Sequence, residues 1–352
     1  MTKLNETETV DISAPMKIGS LTCRNRVFLA PMSGISDVPF RKLAWKFGAG
    51  LVFSEMVASE ALVTGQAEME MKALSAGLPI HAVQIAGRQA KWMALAAKMS
   101  EDNGADLLDI NMGCPARRVT SGLSGSALMR DLDHAMGLIE AVTGAVNIPV
   151  TLKMRLGWDD QTINAPQLAM RAQSAGIAMV SVHARTRCQF YKGSADWHAV
   201  RAVRAATSLP LVVNGDITDR QSLALAMERS GADAAMIGRA CYGAPWLAGA
   251  IAGQSDNTIG NVLAAPQSMT SIVSEHFEEV LEHYGREIGI RQFRKHLSWY
   301  IGRFGDDSRH SALRIAMLTS NDANVIRKMI HQLFCQTTES IQATESLETV
   351  AA

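Results

Sequence analysis

A lone thiol stands where a short apolar run breaks into a loop, in the order Asn111-Met112-Gly113-Cys114-Pro115. Proline biases the residue before it toward an extended backbone and stiffens the turn. A thiol on such a loop can be a nucleophile or a general acid. The nucleophile needs a nearby base to form thiolate. A thiol at its ordinary pKa of about 8.5 is mostly protonated at neutral pH and can donate a proton. Most single cysteines are inert core residues, so the neighbourhood of Cys114 has to decide its role.

That neighbourhood is polar at a regular place, the ends of apolar runs. Pro31-Met32-Ser33-Gly34 follows the first run, Ser54-Glu55-Met56 lies in the second and Gln84 in the third. Lys153 and Arg155 end the fifth, and His183 and Arg185 the sixth. Asn214-Gly215-Asp216 ends the seventh and Gly238-Arg239 the eighth. Lys153 is flanked by Val150, Leu152, Met154 and Leu156. In a buried strand its ammonium must face an enclosed interior, at a cost of several kcal/mol unless an anion partners it. His183 could be a satisfied core histidine, and each glycine pair a simple turn. Together the two glycine-containing turns resemble a phosphate site, where a bare backbone lets N–H groups approach and Arg239 adds a charge-assisted contact.

The elements that must position these residues follow from the pattern. Eight runs read as strands: 27–31, 51–57, 80–87, 107–113, 149–155, 179–185, 209–216 and 234–239. They are nearly continuously apolar, as parallel strands covered on both faces must be. Between them lie stretches of helical period, such as 38–47, 89–100 and 133–146. Eight such units predict an α/β fold, a (β/α)8 TIM barrel, whose active site lies at the C-terminal ends of the strands. An open doubly wound sheet is the alternative. Residues 1–15 read as a polar tail, 16–252 as the barrel, 253–268 as a linker, 269–335 as a small all-α helical bundle and 336–352 as a second polar tail. In the bundle Ile272, Val273, Phe277, Val280, Leu281 and Tyr284 share one helical face, and Gly285 ends that helix. Ile290, Phe293, Leu297, Tyr300, Ile301 and Phe304 make a second stripe, and shorter helices are expected near 309–319 and 322–334.

Bulk composition narrows the class. The chain has 352 residues, an apolar fraction of 47% and a formal net charge of zero. Zero net charge slightly disfavours a nucleic-acid partner, although charge can be segregated locally. The five cysteines are widely spaced and form no CxxC, so neither a disulfide framework nor a metal site is expected. The amino terminus has no apolar core segment, and no apolar run is long enough to span a membrane. A cytoplasmic monomer is the expectation.

The residues also resemble a known family. The blocks APMSGISDVPFR (30–41), SEMV (54–57), VQIAG (83–87), DINMGCPARRV (109–119), GSAL (125–128), TLKMRLGWDD (151–160), VHARTR (182–187), NGDI (214–217) and MIGRACYGAPW (236–246) follow, in order, the pattern of the tRNA-dihydrouridine synthases. RKHLSWY (294–300) resembles the start of the helical domain in the B-type branch. Ser33 replaces the more usual Ala, and Ala184 the more usual Gly. The resemblance implies an FMN barrel in which Pro31, Met32, Ser33, Gln84, Lys153, Asn214, Gly215, Asp216, Gly238 and Arg239 hold the cofactor. It implies that Asn111, Arg155 and His183 line the flavin ring or phosphate. NADPH would reduce FMN, hydride would pass to C6 of a D-loop uracil, and Cys114 would protonate C5. The B-type branch points to a single uridine, at tRNA position 17. No GxGxxG follows a strand, which fits a transient nicotinamide visit without a dedicated dinucleotide site.

Residues 286–328 contain nine Lys/Arg and four acids, so a local excess of 9 − 4 = +5 hides in the neutral chain. Arg291, Arg294 and Lys295 flank an apolar stripe there. With Arg117 and Arg118 beside Cys114, they are the expected RNA-binding residues. A flavin barrel acting on a free pyrimidine, as dihydroorotate-type dehydrogenases do, would need no such basic appendage. A non-catalytic RNA-binding barrel would not need the combination of Cys114, Lys153, His183 and Arg239.

Overall fold

The computed structural model describes residues 10–253, 266–304 and 311–334. Eight parallel strands lie side by side: β3 (Val27–Leu29), β4 (Phe53–Ala58), β5 (Ala82–Ala86), β6 (Leu107–Met112), β7 (Val150–Arg155), β8 (Met179–His183), β9 (Leu211–Asn214) and β10 (Ala234–Ile237). Every sequence-predicted strand is present. Neighbours pair in chain order from β4 to β10, and β10 pairs with β3. A parallel bridge between Leu29 and Val52 joins β3 to the start of β4, with Leu29 N–H donating to Leu51 O at 2.8 Å. The sheet is therefore a closed barrel, not an open doubly wound layer.

Residue parity decides what each strand shows to the lumen. Val27, Leu29, Val83, Ile85, Leu108, Ile110, Val180 and Val182 pack outward in the large core between sheet and helices. Their alternates Phe28, Phe53, Ala82, Leu107, Met179, Val212, Ala234 and Met236 form a second core inside the barrel. This is the period-2 alternation of any strand. Continuing along the same inner face, the side chains turn polar toward the C-terminal ends: Gln84 on β5, Asp109 and Asn111 on β6, Thr151, Lys153 and Arg155 on β7, Ser181 and His183 on β8, and Asn214 on β9. The lumen is thus oil below and polar above.

A hairpin of β1 (Met16–Ile18) and β2 (Leu21–Cys23), which the sequence reading did not foresee, adds Met16, Ile18 and Cys23 to the inner core. Gly19 takes φ +57 in its turn, and an added Cβ would meet Pro149 at 2.8 Å. The expected tail of residues 1–15 is shorter than read: Arg26 N–H donates to Ile12 O at 3.0 Å, and Ile12 packs on the main core. Residues 1–9 lie outside the described residues.

The helices 38–47, 89–100 and 133–146 appear as Val38–Lys46, Ala90–Asp102 and Leu132–Thr143. The helical part begins earlier than expected: helix Pro266–Tyr284 starts within the stretch read as linker. Residues 254–265 and the tail 336–352 lie outside the described residues. Gly285, at φ +74, separates this helix from helix Arg286–Phe304. Helices Ser311–Thr319 and 323–334 follow. Both predicted stripes pack into one core, with Leu281, Tyr284 and Phe304 partly buried at its edge; it also takes in Leu43 of barrel helix Val38–Lys46 and Phe47 at that helix's C-terminal cap. Ion pairs Lys42–Glu279 and Lys46–Glu275, each at 2.6 Å, line this joint.

Candidate active site

The strand ends enclose a cavity of about 600 Å³, within the range of small-molecule sites. Pro31, Met32, Ser33, Gln84, Asn111, Cys114, Lys153, Arg155, His183, Asn214, Gly215, Asp216, Gly238 and Arg239 all line it. Residues scattered over more than 200 positions thus face one space, because each ends a strand of the same barrel.

One side of the cavity is cationic. Lys153 is buried and donates to Asn214 Oδ1 at 3.2 Å. Desolvation holds its pKa down at about 8, against the pull of Asp109. Asn214 is fixed in turn by donating Nδ2 to Met236 O at 2.7 Å. His183 has its pKa held well below the ordinary value by burial and by Arg155, Lys153, Arg185 and Arg239, so its imidazole is neutral at neutral pH. Gly215 takes φ +120, and a Cβ there would press on His183 and Ala195 at 3.0 Å. Trp197 Nε1 donates to Gly215 O at 2.8 Å.

Asp216 contributes its fold more than its charge to this side. Its carboxylate accepts from Arg185 Nη2 at 2.5 Å, Ala195 N–H at 2.8 Å and Arg239 Nη2 at 3.3 Å. Those partners hold its pKa down and spend the negative charge that would repel an anion. Asp216 also takes φ +53, the left-handed region rarely used by a side-chain-bearing residue. Arg239 is half exposed and stacks over Tyr191 at 4.8 Å.

The opposite side carries Cys114. Its carbonyl accepts from Ser126 N–H at 3.1 Å and Ser126 Oγ at 2.8 Å. Its N–H donates to Asn111 Oδ1 at 3.0 Å. The peptide is pinned at both ends, and the half-buried side chain faces the cavity. Arg155 serves this loop directly: Nε donates to Gly113 O at 2.8 Å, and Nη1 to Thr186 O and Phe190 O at 2.9 and 2.8 Å. Its guanidinium is committed to three carbonyls, so it lines the cavity as a brace for two loops.

A family model for dihydrouridine synthases matches residues 28–334. The chain belongs to the dihydrouridine synthase family. Family members of similar sequence include a probable tRNA-dihydrouridine synthase of Rhizobium leguminosarum bv. phaseoli, 52% identical over 89% of this chain and 96% of that one. The tRNA-dihydrouridine synthase B of Xanthomonas axonopodis pv. citri is 44% identical over 81% of this chain and 86% of that one. Among solved structures, a 2-naphthoyl-CoA reductase superposes with a TM-score of 0.55 at 13% identity, covering 69% of this chain and 52% of that one. A morphinone reductase does so with a TM-score of 0.50 at 14% identity, covering 70% and 90%. At such identities the likeness concerns the barrel fold alone.

In this dihydrouridine synthase family member the basic residues expected to hold RNA are not alike. Arg117 and Arg118 are exposed beside the Cys114 loop, and Arg118 lines the cavity. Arg291 is exposed. Arg294 donates Nη2 to Ser320 O at 3.2 Å and Asn321 Oδ1 at 2.7 Å, tying its own helix to the turn after helix Ser311–Thr319. Lys295 is half-buried, donates to Gln292 at 2.8 Å and faces Asp37 and Glu55 of the barrel. Arg286 and Arg327 pair with Asp322 and Glu278. The excess charge of this region is largely occupied inside the protein. Arg309 lies outside the described residues.

Sequence reasoning passed over Asp109, Tyr191 and Gly125. Asp109 was one strand period below Asn111 and could have been found by parity. Gly125 takes φ +60, and its missing Cβ would sit 2.8 Å from Cys114 O. Tyr191 comes from the long segment after β8 and gave no periodic signal. Glu55, left open by the sequence, is buried and accepts from Gly34 N–H, tethering the loop after β3.

Proposed function

We propose that the protein is a tRNA-dihydrouridine synthase that holds FMN in the barrel mouth and takes electrons from NADPH. The observation that carries this reading is that Cys114 and the cationic Lys153–Asn214–Arg239 side line one cavity. The cavity suits a flavin mononucleotide. Lys153, Arg239 and the N–H groups of the Gly215-Asp216 turn offer positive ends to its phosphate, and the bare Cα of Gly215 leaves room for close approach. Gln84 and Asn111 each keep one amide N–H beyond their bonds to Asp109 and to Gln84, and offer it to the polar edge of its ring. When bound, FMN supplies the hydride that reduces C6 of the uracil.

The protein's own residues do the rest. Cys114 holds the proton that C5 of the base requires, on a peptide clamped by Asn111 and Ser126. Neutral His183 adds no charge that would compete for the anion. Arg117, Arg118 and Arg291 meet phosphates of the RNA around the mouth. A base inside folded tRNA must leave its stack to reach the cavity, so grip on flanking nucleotides is part of the function.

The test is to supply the purified, flavin-loaded protein with NADPH or NADH and either unmodified tRNA or free uridine. Dihydrouridine in tRNA, read by mass spectrometry, is expected, with little product from free uridine. Equal turnover of free uridine would replace this reading with a small-pyrimidine reductase.

A further inference from the structure

Beneath the cavity lies a buried carboxylate that the chemistry above does not use. We propose that Asp109 is a positioning residue: it anchors the lower end of an amide relay that ends on the Cys114 loop, and it places a negative charge one strand period below Lys153 on the same face of the barrel. The inference rests on the proposed reaction for its activity readout, and on the flavin site alone for its binding readout.

The relay can be read bond by bond. Asp109 is wholly buried on the inner face of β6. It accepts from Thr151 Oγ1 at 2.6 Å and from Gln84 Nε2 at 2.6 Å. Burial pushes the Asp109 pKa up, while the bonds from Thr151 and Gln84 and the charge of Lys153 hold it down; as a carboxylate it can only accept, so Gln84 must turn its NH2 group down toward it. Gln84 Oε1 is then left facing Asn111, which donates Nδ2 to it at 2.8 Å. Asn111 must therefore offer Oδ1 upward, where Cys114 N–H and Gly113 N–H donate to it at 3.0 and 3.2 Å. The far end is independent of the first, since backbone N–H groups can only donate. Both ends demand the same orientation of both amides, so a flip of Gln84 alone breaks two bonds and a flip of Asn111 alone breaks three, in a buried site. Low local dielectric makes each such loss costly.

The same carboxylate lies diagonally across from buried Lys153: β6 and β7 pair Asp109 with Thr151 and Asn111 with Lys153, so both side chains face the lumen two residues apart in register. The charged or titratable groups around Lys153 are Asp109 on β6, Arg155 on its own strand, Cys114 on the loop above and His183 on β8. Arg155 pushes its pKa down, whereas Asp109 heads the influences holding it up. A lysine whose folded pKa is depressed to about 8 carries its charge below that value and loses it above. Anion binding that depends on Lys153 is thus full below about 8 and fades as pH rises through it.

Two substitutions separate the two tasks. Asp109→Asn is isosteric and keeps an oxygen for Gln84. Its NH2 group turns to Thr151, whose hydroxyl can accept and still donate to Leu108 O. The relay keeps its direction while the charge is lost. Asp109→Leu removes both. FMN affinity is measured against pH by flavin fluorescence for wild type and both variants. Dihydrouridine formed per NADPH oxidised is then measured in air at saturating FMN. Both variants should move the alkaline fall of FMN affinity to lower pH. Asp109→Leu alone should lower the dihydrouridine-to-NADPH ratio, by about tenfold or more, because a displaced proton donor loses its alignment. An unmoved FMN profile in both variants overturns the charge role, and an unchanged ratio in Asp109→Leu overturns the relay. If wild type forms no dihydrouridine in tRNA while the FMN profiles shift as expected, the proposed reaction fails and the charge assignment stands. Should Asp109→Leu not fold, Asp109→Ala removes the same acceptor and charge with less bulk and must lower the same ratio.

Discussion

The two sides of the barrel mouth are held by different forces. On the side of β7 to β10, charge does the holding: Lys153, Arg185 and Arg239 surround a turn whose single carboxylate, Asp216, is already paired with two arginines. On the side of β5 and β6, hydrogen bonds to the main chain do it: Cys114 is fastened through its own backbone by Asn111 and Ser126, and Gly113 O by Arg155, which reaches across from β7. Charge suits a site that must capture an anion, since it is long-ranged and tolerant of small displacements. Hydrogen bonds to the main chain suit a proton donor, since they are short-ranged and directional. On the proposed function, one side serves affinity and the other alignment. Only the first should respond strongly to salt and pH.

The largest expected effect lies on the alignment side. Cys114→Ala should leave flavin loading and NADPH oxidation in place, yet lower uridine reduction by about 10²–10⁴-fold, the usual contribution of a general acid. Near-normal dihydrouridine formation would remove the proton-donor role. A stable thioether to ordinary tRNA during turnover would instead make Cys114 a nucleophile.

Lys153→Ala should come next, with FMN affinity falling about tenfold or more, as expected for losing a charge-assisted contact. Its second signature is in the pH profile. Wild type should lose flavin as pH rises through about 8, where Lys153 gives up its proton, and the variant should lack that step. A step that persists in Lys153→Ala would assign it to another group and take the charge argument with it.

The smallest effect should come from Arg291→Ala, away from both sides. Removing one exposed phosphate contact should weaken tRNA binding only a few-fold and reduce the magnitude of its salt slope by about one. Arg294→Ala should differ in kind, lowering thermal stability because its guanidinium ties its own helix to the turn after helix Ser311–Thr319. Comparing the two by melting temperature and by salt-dependent binding checks whether neighbouring arginines on one helix are divided between RNA and fold. Equal loss of tRNA affinity without loss of stability in Arg294→Ala would show that they are not.

What the sequence determined by itself was everything carried by short spacing. Short, nearly continuous apolar runs placed all eight strands, helical periods placed stretches between them, and polar residues at the strand ends put Cys114, Lys153, His183, Asn214 and Arg239 in one cavity. A barrel forces that convergence once the strands are counted. Tertiary structure alone decided which polar groups are spent on each other. Gln84 meets Asp109 across 25 residues, Asn111 meets Gln84 across 27, and Arg185 meets Asp216 across 31. Arg294 turned inward and Lys295 toward the barrel for the same reason. A charge is free to meet a ligand only if no closer partner exists, and partners brought together by folding leave no trace in local spacing. The hairpin Met16–Cys23 was also beyond sequence reading, because strands of three residues carry too little pattern to register. It forms because the open lower end of the barrel has apolar side chains to cover.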